Sequence, residues 1–161
     1  IVSFIGYQQQ EVAVNGKTML KIAEKEDVPV AAELAGMLWP HHSREELEGE
    51  LLSFIESGGM VFLWMEEGNP VAFAQCGIRT DYVEGTHGGA IGYLEGIFVL
   101  EKFRRRGIGK VLLTACEEWA KEQGCEEFAS DTELDNAEGL SFHSGAGFYE
   151  ANRIVCFVKN L

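Results

Sequence analysis

The sequence predicts one α/β domain, in which about four helices flank a mixed central sheet. An apolar run at 91–100, an amphipathic pattern at 108–123 and a short strand at 127–131 make a right-handed βαβ unit with parallel strands. Before it, 60–65 and 71–79 flank the turn Glu67-Gly68-Asn69-Pro70 and predict an antiparallel hairpin. The 161 residues contain no repeat or linker, so a single core is expected.

Helix signals precede the hairpin. Residues 19–24 suit a first strand, and Asp27 can cap a helix that Pro40 ends. The pattern Ser43-x-x-Glu46 is a capping box for a second helix, which stops at Gly58-Gly59.

The C-terminal part continues this alternation. Residue Gly124 is a plausible C-cap for the 108–123 helix, whose apolar residues follow an i, i+3, i+4 spacing. A last helix is expected at 136–146, and closing strands at 148–158. Residues 1–16 are read as an N-terminal extension of unclear role.

Charge restricts the partners. A net charge of −13 disfavours nucleic acid as a partner and suits a polycationic ligand, although many soluble proteins are acidic for solubility alone. No apolar run reaches the length of a membrane span, and the N-terminal apolar stretch lacks the basic start of a signal peptide. We therefore expect no membrane partner.

The four cysteines lack a Cys-x-x-Cys pattern, and each has apolar or helix-forming neighbours. Buried free thiols in a reducing compartment are expected, which predicts a cytoplasmic protein. No metal site is expected, because the histidines are not spaced as ligands.

The basic turn 104–110 follows a predicted strand and opens a predicted helix. Backbone N–H groups at a helix N-terminus lack intrahelical partners and attract anions, and three arginines add positive charge. Neither a Walker loop nor a dinucleotide-binding glycine pattern fits these residues. The turn therefore predicts a site for a different anionic cofactor; a plain basic surface turn is the alternative.

Two motifs resemble the GCN5-related N-acetyltransferases (GNAT): Arg104-x-x-Gly107-x-Gly109, and Asn136-x6-His143-x3-Gly147-Phe148. The resemblance implies the GNAT acyl-CoA N-acyltransferase fold at 17–161, with a sheet splayed at the site of acetyl-CoA, the co-substrate. It also implies that His143 stands where the family usually has a tyrosine that protonates the leaving thiolate.

Longer segments are similar to aminoglycoside 6′-N-acetyltransferases: 38–40, 81–85, 94–100, 129–132 and 153–157. The resemblance implies two sets of site residues. The residues that contact acetyl-CoA are Ile97, Phe98, Val99, Arg104, Arg105, Arg106, Gly107, Ile108, Gly109, Lys110, Asn136 and His143. The residues that line the acceptor pocket are Trp39, His42, Tyr82, Glu95, Asp131 and Asn136, with Glu150 near Asn152, where the family often has an acid.

Glu95 interrupts an apolar strand, on the face expected to carry Tyr93 and Ile97. A carboxylate there is costly unless it is paired. It either binds a substrate ammonium, with a second role as a base, or forms a structural pair with a lysine or arginine. The adjacent Gly96 suggests a bulge that splays the strand. Asp131 lies at a strand end, where it either binds a second amine of the substrate or relays its proton. The alternative is that it caps the last helix.

The other candidates also have two interpretations. Trp39 and Tyr82 stack on a sugar ring or frame the pocket, whereas core packing is the alternative for Trp39. His42 bonds a substrate hydroxyl or is a plain surface histidine. His143 is the general acid, or it only packs and hydrogen-bonds near the cofactor.

The predicted function is transfer of acetyl from acetyl-CoA to a primary amine, with the 6′-amine of an aminoglycoside antibiotic as the leading acceptor. Such an activity would confer drug resistance. The catalytic residues expected are Glu95, Asp131 and His143. Alternatives are acetylation of another polyamine or a protein amine, a non-catalytic acetyl-CoA-binding module, and a protein-interaction domain. A homodimer is a further expectation, since dimers are common in the family.

Overall fold

A computed structural model describes residues 11–13 and 18–161 of the chain. The predicted N-terminal extension falls largely outside the described residues. Its residues Glu11–Ala13 form a short edge strand against Thr18–Ile22.

The sheet has six strands in sequential order. All neighbours are antiparallel except the last pair, which is parallel, so the predicted mixed sheet is confirmed. The strands are β1 (Glu11–Ala13), β2 (Thr18–Ile22), β3 (Met60–Glu66), β4 (Asn69–Arg79), β5 (Ile91–Val99) and β6 (Glu127–Ser130).

Helices cover both faces of the sheet. They are α1 (Val28–Leu38), α2 (Arg44–Glu56), α3 (Ile108–Glu122) and α4 (Ala137–Gly145). The first two pack on one face in a cluster with Leu63 and Phe73, and α3 packs on the other with Leu94. The predicted capping box is present, with Ser43 accepting from the Glu46 amide at 3.2 Å. None of the described helices is long and apolar enough to cross a membrane.

A β-bulge interrupts β5. Gln75 of β4 pairs with Gly96 and the next residue, Cys76, pairs with Leu94, so Glu95 is the extra residue. The bulge reverses the alternation of side chains along β5. Leu94 and Ile97 both pack on the α3 side, so the prediction that Ile97 shares the face of Glu95 was wrong.

β5 continues beyond its parallel neighbour. The β5–β6 ladder ends where Leu94 meets Ser130, which leaves 95–99 without β6 beside it. Leu100 N–H donates to Val71 O on β4, so by alternation the N–H groups of Val99 and Ile97 face away from β4. They face the gap between β5 and β6, where the resemblance implies that acetyl-CoA binds.

The predicted closing strands are absent. Residues 149–161 are exposed, and 148–161 contain no strand. The composition of 154–158 favours a strand. A strand forms only when its backbone groups pair with a neighbouring strand, and no described strand pairs with these residues. Cys156 is consequently exposed, which corrects the prediction of a buried thiol, whereas the three other cysteines are buried.

Candidate active site

The basic turn adopts an unusual backbone. Arg105 has φ 63° and Gly107 has φ 82°, both in the left-handed region that favours glycine. Two such residues let the chain reverse between β5 and α3, with Gly107 as the N-cap. An arginine at φ 63° costs backbone energy, so its position is maintained against local preference.

The N-terminus of α3 has unpaired donors. The first bond of the helix runs from Val111 N–H to Gly107 O, so the N–H groups of Ile108, Gly109 and Lys110 have no acceptor within the helix. The exposed side chains of Arg105 and Arg106 flank them. These features together form an anion-binding site.

Arg104 has a structural part in this turn. Its Nε donates to Val99 O at 2.9 Å, and its Nη1 meets the Glu138 carboxylate at 2.9 Å. It thus ties the turn to the end of β5 and to α4. The Arg106 guanidinium also donates to Lys102 O, at 3.0 Å.

Gly109 brings α4 against α3. A Cβ on Gly109 would lie 3.2 Å from the Phe142 ring, so a larger residue would push the two helices apart. This contact and the Arg104–Glu138 pair hold α4, which Asn136 precedes and which contains His143, against the start of α3.

Asn136 caps α4. Its Oδ1 accepts from Gly139 N–H at 2.9 Å, and its Nδ2 donates to Thr132 Oγ1 at 3.1 Å. The cap role that the sequence left open to Asp131 therefore belongs to Asn136. One amide hydrogen of Asn136 is left for another acceptor.

His143 is held by two hydrogen bonds. Its Nδ1 lies 2.7 Å from Gly139 O, which can only accept, so Nδ1 carries a proton. Its Nε2 lies 2.9 Å from Ser130 Oγ, and in the neutral ring it can only accept from that hydroxyl, which also has Leu94 O within reach at 3.2 Å. The ring also packs edge-on against Phe148, with centroids 5.1 Å apart. A neutral His143 in this tautomer has no free proton to give.

A cavity of about 180 Å³ lies between the α1–α2 connection, α2, β4 and the bulge of β5. Two carboxylates, Glu50 and Glu95, line it together with His42. His42 Nδ1 is 3.9 Å from Glu50 Oε1. The remaining lining residues are Trp39, Leu47, Leu51 and Gln75. This cavity suits a cation.

Glu95 is paired with Arg79. The guanidinium makes a bidentate contact with the carboxylate, at 2.7 Å and 3.1 Å, and both side chains are half-buried. Hydrogen bonding to Glu95 raises the pKa of Arg79. The pair that the sequence analysis offered as an alternative is therefore present, yet Glu95 still lines the cavity.

Arg79 also stacks on Tyr93. Its guanidinium carbon lies 3.4 Å from the centroid of the Tyr93 ring. Burial, and then the negative charge of Asp131, raise the pKa of Tyr93 to about 12, so its hydroxyl stays protonated. The charge of Asp131 also contributes to the raised pKa of Arg79, after the larger effect of Glu95.

At the bulge, the residue after Glu95 has no room for a side chain, which explains the glycine at position 96. A Cβ on Gly96 would lie 2.6 Å from the Trp39 ring, which itself packs edge-on against Phe73 at 6.1 Å. Both Glu95 and Gly96 thus face the α1 side. Trp39 is both a wall of the cavity and part of the core, so the two interpretations of this residue are compatible.

Residues 19–148 match the acetyltransferase (GNAT) family. This chain belongs to that family. It is 34% identical over 145 residues to an aminoglycoside N(6′)-acetyltransferase type 1 of Serratia marcescens, covering 89% of this chain and 99% of that protein. The type 1 enzyme of Acinetobacter baumannii is 39% identical over 127 residues, covering 78% and 86% respectively.

Solved structures agree with this GNAT assignment. An aminoglycoside N-acetyltransferase in complex with CoA superposes with a TM-score of 0.87 at 31% identity, covering 93% of this chain and all of that one. A complex with the bisubstrate analogue CoA-S-monomethyl-acetylneamine superposes with a TM-score of 0.84 at 32% identity, covering 89% and 99%. The predicted GNAT fold is confirmed.

Some predicted site residues lie elsewhere in this GNAT domain. The cavity lining does not include Tyr82, Asp131, Asn136 or Glu150. Tyr82 is exposed and donates to Glu84 at 2.6 Å, and Glu150 is paired with Arg153.

Sequence reasoning missed Arg79, Glu50 and Gln75. Glu50 lies on α2 directly before the buried Leu51, but it is exposed, and an exposed helix carboxylate gives no sequence signal of a site. Arg79 carried no such signal, because its proximity to Glu95 depends on the β4–β5 register. Among the described residues, no three His, Cys, Asp or Glu side chains gather as metal ligands do.

Proposed function

We propose that this protein transfers the acetyl group of acetyl-CoA to the 6′-amino group of aminoglycosides. The observation that carries the proposal is the acidic cavity with Glu50 and Glu95, which adjoins the backbone gap along β5. A cation pocket next to an anion-binding turn suits a polycationic acceptor and an acidic acetyl donor. The aminoglycoside acetyltransferases to which the chain is similar support the same acceptor.

The donor is proposed to lie along the gap. The N–H groups at the start of α3, with Arg105 and Arg106, bind the pyrophosphate. The backbone of Ile97 and Val99 pairs with the pantetheine, and Asn136 contributes its remaining amide hydrogen. Arg104 supports the turn through Val99 O.

The reaction proposed is a direct attack by the amine in a ternary complex, so orientation supplies much of the rate. Glu95 holds the ammonium, and a carboxylate takes its proton directly or through water. A backbone N–H of Ile97 or Val99 stabilises the oxyanion. Direct attack of an amine on a thioester requires neither a metal nor a covalent enzyme intermediate.

Arg79 has a place in this scheme. Its guanidinium occupies the Glu95 carboxylate in this structure. An incoming ammonium competes for the same oxygens, so Arg79 keeps Glu95 neutralised until a substrate arrives.

An acceptor screen tests the proposal. Thiol release from acetyl-CoA is measured with aminoglycosides that carry a 6′-amine, with analogues that carry a 6′-hydroxyl, with linear polyamines and with lysine peptides. We expect turnover with the 6′-amines alone, and a KM that rises with salt because the pocket is acidic. Faster turnover of peptides or neutral amines would contradict the aminoglycoside assignment.

We further propose a cytoplasmic homodimer. Acetyl-CoA and the three buried free thiols suit a reducing cytoplasm. The net charge of −13 argues against nucleic acid as a partner.

Replacing His143 by Phe tests its role. Because Nδ1 donates to Gly139 O and Nε2 accepts from Ser130, we expect a packing and hydrogen-bonding role rather than general acid catalysis. His143→Phe should weaken acetyl-CoA binding and leave the shape of the kcat pH profile unchanged. Ser130→Ala is the matched control, since it keeps the imidazole ring and removes the Nε2 partner, together with the Ser130 bond to Leu94 O.

A loss of kcat beyond about 30-fold at normal acetyl-CoA affinity, roughly 2 kcal/mol in the barrier, would identify His143 as the acid. Loss of one ionisation from the profile would support that role.

A further inference from the structure

A polar side chain interrupts the apolar face of β4 that lies beneath α1 and α2. Strand alternation puts Phe73, Gln75 and Gly77 on this face, and Phe73 is fully buried. The Phe54 ring of α2 covers Gly77, because a Cβ on that glycine would lie 3.1 Å from the ring. Gln75 is half-buried between these two positions and lines the acidic cavity. Its amide therefore lies where packing alone favours an apolar residue.

The Gln75 amide points to the cavity rather than to a protein partner. No described residue forms a hydrogen bond with it. Its partner across the strand pair is Gly96, which has no side chain, and the Trp39 ring lies over that glycine. When a ligand expels the water from this cavity, the amide is penalised unless it finds a partner on the ligand.

The bulge of β5 places Gln75 next to the carboxylate that receives the amine. Gln75 pairs with Gly96 and Cys76 pairs with Leu94, so the extra residue Glu95 lies beside Gln75 in the ladder. In the proposed reaction Glu95 holds the ammonium that is acetylated. The Gln75 amide is therefore close to the groups that are attached near this amine on the acceptor.

The carboxylates and the amide of the cavity require different ligand groups. Glu50 and Glu95 only accept hydrogen bonds, whereas the amide of Gln75 accepts and also donates. An ammonium donates but cannot accept, so it satisfies the carboxylates and leaves the NH₂ group of Gln75 unpaired. A sugar hydroxyl both accepts and donates, and it can pair with the amide.

We propose that Gln75 is a specificity-determining residue that hydrogen-bonds a hydroxyl of the sugar ring carrying the reacting amine. In a 6′-amino sugar the 4′-hydroxyl is attached to the ring carbon next to the one that bears the aminomethyl group. It therefore lies within reach of an amide beside Glu95. Gln75 thereby distinguishes amino sugars from linear polyamines, whose protonated nitrogens only donate. This inference rests on the proposed aminoglycoside acceptor and names the part of it that is recognised.

A cycle of two enzymes and two acceptors measures this contact. The acceptors are a 6′-amino aminoglycoside and its 3′,4′-dideoxy analogue, and the enzymes are the wild type and Gln75→Met, whose side chain has a similar length but no amide. We expect the wild type to prefer the hydroxylated acceptor by about 10-fold or more in kcat/KM. In Gln75→Met this preference should fall to within about twofold. A merely structural role would lower both activities together and leave their ratio unchanged.

Gln123→Met is the matched control. Gln123 is exposed at the end of α3, on the other face of the sheet, so its variant should keep the wild-type preference. An unchanged preference in a Gln75→Met protein that still gains melting temperature from acetyl-CoA would overturn the proposal. A wild type that acetylates the two acceptors equally well would overturn it too, whether or not the variant folds.

Failure of the acceptor assignment gives a different result. If the wild type acetylates neither aminoglycoside, the assignment is wrong and the role of Gln75 falls with it. If it acetylates both, the assignment stands, and the ratio of the two activities alone decides the role of Gln75.

Discussion

Reversing the charges of Arg105 and Arg106 to Glu should remove most of the rise in melting temperature that acetyl-CoA produces. A ligand at 100 times its dissociation constant stabilises the folded state by about 2.7 kcal/mol. Two carboxylates beside the free N–H groups of α3 would repel the pyrophosphate and cancel most of that gain. The measurement is thermal unfolding with and without acetyl-CoA.

Lys121→Glu is the control for this experiment. Lys121 lies in the last turn of the same helix, far from the basic turn, so its variant should keep the full shift. An unchanged shift in the Arg105/Arg106 double variant would mean that the donor binds elsewhere.

Glu95→Gln should lower kcat/KM for aminoglycosides by about 10-fold or more, at least roughly 1.4 kcal/mol in transition-state binding. The amide keeps the size of the carboxyl group but loses the charge that holds the ammonium. It also leaves the Arg79 guanidinium beside the cavity without its carboxylate, which repels a cationic acceptor. Steady-state kinetics at low salt measure the effect.

Arg79→Met separates a functional carboxylate from a structural pair. Methionine replaces the guanidinium over the Tyr93 ring by an apolar side chain of similar reach and frees Glu95, so KM for a polycation should stay level or fall. If Arg79→Met loses as much activity as Glu95→Gln, the pair is structural. Asp131→Asn should also cost about 10-fold or more, and a change within twofold would remove Asp131 from the mechanism.

Local sequence signals predicted most of the helices and strands. The capping box at Ser43, the glycine after α3 and the hairpin turn each act within a few residues, so their elements lie where the sequence predicts them. The closing strands failed for the opposite reason. The composition of 154–158 favours strand, but a strand also needs a neighbour, and that neighbour is not encoded locally.

The site residues likewise divide into those that a local motif predicts and those that depend on long-range contacts. The basic turn is contiguous in sequence, so its geometry could be foreseen from one motif. The contact between Arg79 and Glu95 spans 16 positions and depends on the β4–β5 register, which a bulge shifts by one residue. The hydrogen bond between His143 and Ser130 likewise joins two elements and spans 13 positions.

The bulge at Glu95 also limits how this site can change over generations. Deleting Gly96 would restore simple alternation and leave Ile97, Phe98 and Val99 in their present layers, because the bulge already places Leu94 and Ile97 on the same side. A second extra residue after Gly96, paired as in a regular strand, would instead move each of these side chains to the opposite layer. Ile97 and Val99 would leave the α3 core for the acidic cavity, while Phe98 would leave the α1 side. Insertions among descendants should therefore avoid this strand and gather in the loop 81–89.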